Sequence, residues 1–303
     1  MLAIQDEDGT KIAQLGLSAS LYFTHGHTKE GRQAVAACFE AYWRMCGSQL
    51  KWAMQSSGRG WKRLGGRSNL SLPPEWLSSL SEDDSWHFNL HSGGEQEEAA
   101  LFKISGLGSA DWEEDLSYLK CTLPLTWYAG HPGSFPEFVL EWCNALRPLH
   151  GYGGVGILEA QDLGTRDAHA HQVYALARRF PGLDVDDPTS HVLDLKEGIK
   201  GVNWLTILGA RFLSEVGGIG KIRSQVGPEF TFHEYPGGVM IQAGPKPQLG
   251  DVNRRRFPDS YRQLGSVLKG LRVKDHRKLH NDGLGRRFDD DATQAWLARF
   301  DGE

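Results

Sequence analysis

Sliding the chain against itself by 104 positions aligns, without a gap, Leu21 with Leu125, Gly26 with Gly130, His27 with His131, Val35 with Val139, Ala41 with Ala145 and Gly47 with Gly151. Phe23 falls on a second aromatic, Trp127. The matches lie at a strand end, a helix start, a buried helix face and a helix stop, which are the positions an internal structural repeat must preserve. The expected units are residues 16–54 and 118–159. In the first, Gly16 to Phe23 reads as a strand, Lys29 to Met45 carries Val35, Cys38, Phe39 and Tyr42 on one helical face, and Leu50 to Met54 gives a second strand. In the second, a strand from Tyr118 to Tyr128 leads to a helix from Gly133 to Leu146 and a return strand from Gly154 to Glu159.

Between the copies, Trp86 to Leu90 and Ala99 to Ile104 predict a hairpin around Ser92-Gly93-Gly94, and the Ser56 to Pro74 loop is rich in Gly and Ser. A short helix, Ala168 to Arg179, precedes a Gly-rich third segment, residues 200–303. There Val202 to Leu208 is an apolar strand, Ala210 to Val216 a turn or two of helix, and Phe230 to His233 pairs with Val239 to Ala243 across Pro236-Gly237-Gly238. Two helices close the chain, Asp259 to Leu271 behind Pro258 and Thr293 to Phe300 behind an acidic cap region. The fold class is α/β (α+β), with mixed or antiparallel sheets and helices. No linker interrupts residues 1–303, so a single domain is expected.

With 40% hydrophobic residues and ten tryptophans the chain can bury a large core. A net charge of −5 excludes a broad basic face for nucleic acid, since phosphate neutralisation needs clustered Lys and Arg. Acids come in bursts, at Glu82 to Asp84, Glu95 to Glu98, Glu113 to Asp115, Asp184 to Asp187 and Asp289 to Asp291. Each burst reads as a solvated loop, or else as a docking surface for a basic partner. The first residues lack a basic flank and an apolar core, and no stretch approaches a membrane span, so a cytoplasmic location is expected. Cys38, Cys46, Cys121 and Cys143 have no CxxC spacing and read as buried free thiols.

No motif assembles a catalytic centre. Gly151-Tyr-Gly-Gly-Val-Gly156 precedes a strand and lacks the following Lys of a phosphate loop, which leaves a tight helix-to-strand turn as its reading. His25 with His27, and His169 with His171, have HxH spacing; the first pair ends a strand, and the second opens a helix, where two-residue spacing splays side chains by about 200°. His276 and His280 sit at i,i+4 without the Glu of a HExxH site. No Ser lies in a GxSxG elbow. Arg254-Arg255-Arg256 is too short for a nucleic-acid patch and is expected to pair with Asp251 and Asp259. Hence no catalytic, metal-binding or cofactor-binding residue, and no cofactor, is expected.

The stretch Gly201-Val-Asn-Trp-Leu-Thr-Ile-Leu-Gly209, then Gly237 to Asn253, then Pro258 with Tyr261, resembles the bacterial type VI secretion immunity family (TsiV-like), formerly classed as a domain of unknown function. The front strand with His25 and His27 and the end Trp296-Leu-Ala-Arg-Phe300 are similar too, so the resemblance spans nearly the whole chain. It implies an antitoxin that binds and neutralises a cognate effector, and it carries over no catalytic residue. The acidic bursts would suit the basic cleft of a nuclease effector. The expected contact residues are Asp83, Asp84, Glu97, Glu98, Glu113, Glu114 and Asp115, with Trp61 and Trp86 as aromatic anchors. The competing readings are a hydrolase that removes a toxin product, using His169 or His171, and an effector chaperone or adaptor.

Overall fold

In a computed structural model of the chain, residues 3–56, 58, 60–65, 70–110, 115–131, 133–279 and 285–301 are described. Among them, the first half runs β1 (Ala3–Gln5), β2 (Lys11–Phe23), α1 (Lys29–Cys46), β3 (Trp52–Gln55), β4 (Lys62–Arg63), α2 (Pro73–Ser78), β5 (Trp86–His91), β6 (Lys103–Gly108), β7 (Ser117–Leu123), α3 (Leu125–Gly130), α4 (Ser134–Leu146) and β8 (His150–Glu159). The rest runs α5 (Leu163–Arg179), α6 (Pro188–His191), β9 (Leu205–Gly209), α7 (Ala210–Glu215), α8 (Ile219–Gln225), β10 (Phe230–Tyr235), β11 (Gly238–Ala243), α9 (Asp259–Leu268) and α10 (Asp290–Leu297). One antiparallel sheet takes in all these strands in the order β10-β11-β9-β8-β2-β7-β6-β5-β3-β4, with β1 on β2. The fold is therefore α+β, and strands from all three sequence segments share one ladder.

The centre of the sheet explains the helix layer. β2 and β7 are antiparallel neighbours. From β2 the chain crosses through α1 to β3 on one side, and from β7 it crosses through α4 to β8 on the other. Two crossovers of the same hand, leaving antiparallel strands in opposite directions, put both helices on the same face. There the Trp142 indole N–H donates to the Cys38 carbonyl at 3.1 Å, the Tyr42 hydroxyl donates to the Thr122 carbonyl at 2.9 Å, and Phe39 meets Phe88 edge-on at 6.0 Å. Val35, Cys38, Phe39 and Tyr42 are all buried, and the four cysteines are free and buried.

Several boundaries differ from the sequence reading. The strand placed over Tyr118–Tyr128 stops at Leu123, because Pro124 has no N–H for the ladder and caps α3 instead. Leu125 is thus helical while its counterpart Leu21 is in a strand, so the units that begin at 16 and 118 differ in the strand portion. The glycines of 151–156 do not form a turn. They lie inside β8, between β2 and β9, where a Cβ on Gly156 would come within 2.7 Å of Ser18 Oγ. The strand expected at Ala99–Ile104 forms later, at Lys103–Gly108, since the Ala99 N–H is taken by the Lys11 carbonyl. α5 starts earlier than expected, at Leu163, with the Asp162 carboxylate accepting from the Thr165 N–H at 2.7 Å.

Candidate functional site

Strand alternation gives the sheet two unlike faces. Register sets Ala53, Leu90, Ile104, Cys121 and Ala19 in one row across β3, β5, β6, β7 and β2, on the face covered by α1 and α4. The adjacent row, one residue along, reads Met54, Asn89, Ser105, Lys120, Ser20, Tyr152 and Thr206 on the opposite face. A second row there reads Trp52, His91, Lys103, Thr122 and Ser18. This polar face is sealed over β2 and β8 and forms an open cleft of about 340 Å³ over β5, β6 and β7.

The seal is the segment 183–200. The Asp184 N–H donates to the Val155 carbonyl and its carbonyl accepts from Ile157, which extends β8 by a short parallel bridge. Asp186 then reaches the centre of the polar face. Its carboxylate accepts from Ser20 Oγ and Tyr152 OH, both at 2.6 Å, and pairs with Lys120 at 2.8 Å, Lys200 at 3.2 Å and His191 Nδ1 at 3.2 Å. Lys200 also pairs with Asp184 at 2.8 Å and lies 3.9 Å from the Tyr152 ring. Burial pushes the Asp186 carboxyl up, but Lys120, Lys200 and His191 outweigh it and hold the group well below the usual carboxylate range. Asp184 is raised by its burial, an effect that Lys200 only partly offsets. Burial drives His191 and His150 down to about 4.

Serine, histidine and aspartate meet here without forming a nucleophile and base. Ser20 Oγ is bonded to the carboxylate rather than to an imidazole, and Ser20 is 1% exposed. The cluster is a polar bolt between the sheet and the segment 183–200. The acidic burst at 184–187, read from sequence as a solvated loop or a docking surface, is corrected accordingly: Asp184 and Asp186 are buried because two lysines compensate them.

The open half is organised around Lys103. Its Nζ donates to Gln161 Oε1 at 2.7 Å, and Asn89 Nδ2 donates to the same oxygen at 3.2 Å. Among the described residues, no ion pair joins Lys103 to a carboxylate. Burial first, then Lys120 and Arg166, push its pKa down to about 7. Arg166, from the first turn of α5, is 3.1 Å from Asp187 and 3.7 Å from Glu159. Leu163, 65% exposed, and half-buried Met54 also line the cleft.

The expected contact residues divide between two ends of the strands. Trp61 meets His91 edge-on at 4.5 Å, on the polar face. Glu97 and Glu98 border the same end, where Gln161 takes their carbonyls as acceptors, and Glu98 pairs with Lys11 at 3.3 Å. Asp83 and Asp84 are exposed at the other end of β5, roughly 20 Å away by strand length. Their loop is fastened to α1 on the opposite face, where Arg32 donates to the Leu80 and Ser81 carbonyls. The Asp84 carboxylate is engaged locally by Ser81. Asp115 accepts from Ser109 Oγ at 3.0 Å, and Glu113 and Glu114 lie outside the described residues. Trp86 is 1% exposed, stacks on Phe88 and donates its indole N–H to the Gly26 carbonyl, so it is a core residue with no surface to offer a partner.

The histidine pairs do not converge. His169 Nδ1 lies 2.9 Å from the Thr165 carbonyl within its own helix, His171 is exposed, and His25 and His27 have ring centroids 6.4 Å apart. His276 is buried beside His191, and His280 lies outside the described residues. Among the described residues no three His, Cys, Asp or Glu side chains are grouped to hold a metal ion. No described helix is long and apolar enough to cross a membrane. The sequence reading missed Lys103, Lys120, Arg166, Asp186 and Lys200. Strand alternation was a signal for Lys120 alone: Lys120 and Thr122 interrupt the apolar run 119–123 at every second residue, as Ser18 and Ser20 do between Leu17 and Leu21, whereas Arg166, Asp186 and Lys200 lie outside the strands.

A solved structure described as Pseudomonas aeruginosa T6SS protein PA0821 superposes with a TM-score of 0.91 at 27% identity, covering 100% of this chain and 88% of that one. No curated protein matches. A family model described as TsiV, "Type VI immunity for VRR-NUC", matches residues 34–300. With most of its length matched, the chain belongs to the TsiV family of type VI immunity proteins.

Proposed function

We propose that the protein neutralises a VRR-NUC nuclease effector by stoichiometric binding in the cytoplasm, covering the effector's cleft or locking a movement it needs. The observation that carries this reading is the half-open polar face: a cleft lined by polar side chains of β5, β6 and β7, by Arg166 of α5 and by exposed Leu163, with no nucleophile and base paired there among the described residues. Trp61, Glu97 and Glu98 border that face and are its contact residues; Asp83, Asp84 and Asp115 form a second contact at the far end of the strands. Burial on the order of 1,600 Å² would suffice for a stable complex. The net charge of −5 favours a protein partner over nucleic acid.

The test is a titration of the effector's nuclease activity with this protein, together with copurification. Inhibition should end near equal amounts. Protection at a hundredth of the effector's amount, abolished by His169→Ala or His171→Ala in a folded protein, would instead establish the hydrolase reading. A complex in which the effector stays fully active would establish the adaptor reading.

A further inference from the structure

The floor of the cleft holds a lysine, Lys103, that no ion pair joins to a carboxylate among the described residues. The acids that line the cleft face other cations first: Asp186 meets Lys120 and Lys200, and Arg166 lies 3.1 Å from Asp187 and 3.7 Å from Glu159, so that the last two act on Lys103 only from a distance. Lys103 has only the neutral Gln161 oxygen as a hydrogen-bond partner, which leaves two of its three ammonium donors unspent among the described residues. It stands on the same face as Lys120, one strand and two residues away by register, with Arg166 on the wall. A half-buried ammonium group with like charges for neighbours is stabilised most by an arriving anion.

We propose that the cleft receives an acidic side chain, an Asp or Glu of the bound effector, whose carboxylate pairs with Lys103 between Lys120 and Arg166. This rests on the reading of the half-open face as the surface that meets the effector. A protein side chain fits better than a free anion for two reasons. The space, about 340 Å³, exceeds what one carboxylate fills, and its lining includes apolar side chains, with Leu163 65% exposed and Met54 half-buried. An acid at the centre with apolar cover around it is the arrangement of an interface hot spot. Asn89, also in the lining, keeps a buried side-chain oxygen without a partner, an acceptor for a backbone N–H of the inserted segment.

The two roles of Lys103 separate by sign. A lysine that served the fold would destabilise the protein when removed. One kept for a partner's acid should leave the thermal midpoint unchanged or higher and weaken the complex. The experiment is calorimetric titration of purified effector into the wild type, Lys103→Met, Lys103→Arg and a distant control, Lys221→Met, with a thermal midpoint for each. Lys103→Met is expected to weaken binding about thirtyfold or more, Lys103→Arg to stay within a few fold, and Lys221→Met to match the wild type. Lys103→Gln, which keeps a donor for Gln161 and drops the charge, takes the place of Lys103→Met if that variant misfolds. Binding by either neutral variant within about threefold of wild type, at a normal midpoint, overturns the proposal alone. Absence of binding by the wild type overturns the underlying reading, and this proposal with it.

Discussion

On β2, Leu17, Ala19 and Leu21 lie on the face that α1 and α4 cover, while Ser18, Ser20 and Tyr22, one residue along in each case, lie under the segment that carries Asp184 and Asp186. The first face is held by packing spread over many apolar contacts, so that no single partner is indispensable. The second is held by few, directed contacts that converge on one carboxylate. Packing tolerates change by degrees, whereas a charged bolt fails when one partner leaves its opposite charge buried alone.

The comparison is broken most sharply at neighbouring rows. Asp186→Ala should destabilise the protein by about 3–5 kcal/mol, lowering Tm by on the order of 10 °C, because Lys120 and Lys200 lose their shared partner. The paired replacement Asp186→Leu with Lys120→Met should recover much of that loss, since apolar side chains of similar volume replace a buried ion pair at little cost. Urea unfolding of the single and double variants measures the coupling; additive losses would mean that the ions do not act as a unit. On the helix-covered face, Leu119→Ala, next to Lys120 in β7, should cost about 2–5 kcal/mol, and a compensating partner substitution should recover little of it.

The faces should also part company with pH. His150 and His191 are pushed to about 4 and His91 to about 3, in each case chiefly by burial, and all three belong to the polar face. The unfolded chain binds protons on these imidazoles near pH 6.5 while the folded chain does not, so stability rises with pH between about 4 and 6.5 and is lost on acidification through that window. Each histidine contributes up to about 1.4 kcal/mol per pH unit. The buried titratable groups of the other face, Cys38, Tyr42, Cys121 and Cys143, are all raised by burial and stay neutral throughout the window. His150→Phe should therefore flatten the acid slope of chemical denaturation by about one proton's worth, and an unchanged slope would place the titration elsewhere.

The helix-covered face was the legible one. Val35, Cys38, Phe39 and Tyr42 announce α1 by spacing, because an apolar stripe has one physical use and its period can be counted. The polar face was not legible as a site, because a charge in a sequence does not say which charge will meet it. Lys120 and Asp186 are 66 residues apart, and only the crossing of segment 183–187 over β2 brings them together. The same limit applies to Trp86, whose aromatic character is equally suited to an interface or a core until the Gly26 carbonyl is seen to take its N–H.

Lys103 gives the smallest effect and the finest test, since it lies on the polar face outside the bolt. Its folded pKa, about 7, is below the ordinary lysine value of about 10.4, so the unfolded chain holds the proton more tightly between those limits. Stability contributed at this position therefore increases as pH rises from 7 toward 10, opposite in consequence to a lysine that gains a carboxylate. Lys103→Met should remove that dependence and stabilise the protein near neutral pH by on the order of 1 kcal/mol, a figure reduced for the water that the open cleft admits. Denaturation midpoints of wild type and variant at pH 7 and pH 9.5 decide it. The two proteins should converge at the higher pH, and a variant less stable than wild type at pH 7 would mean that Lys103 belongs to the bolt, as Lys120 does.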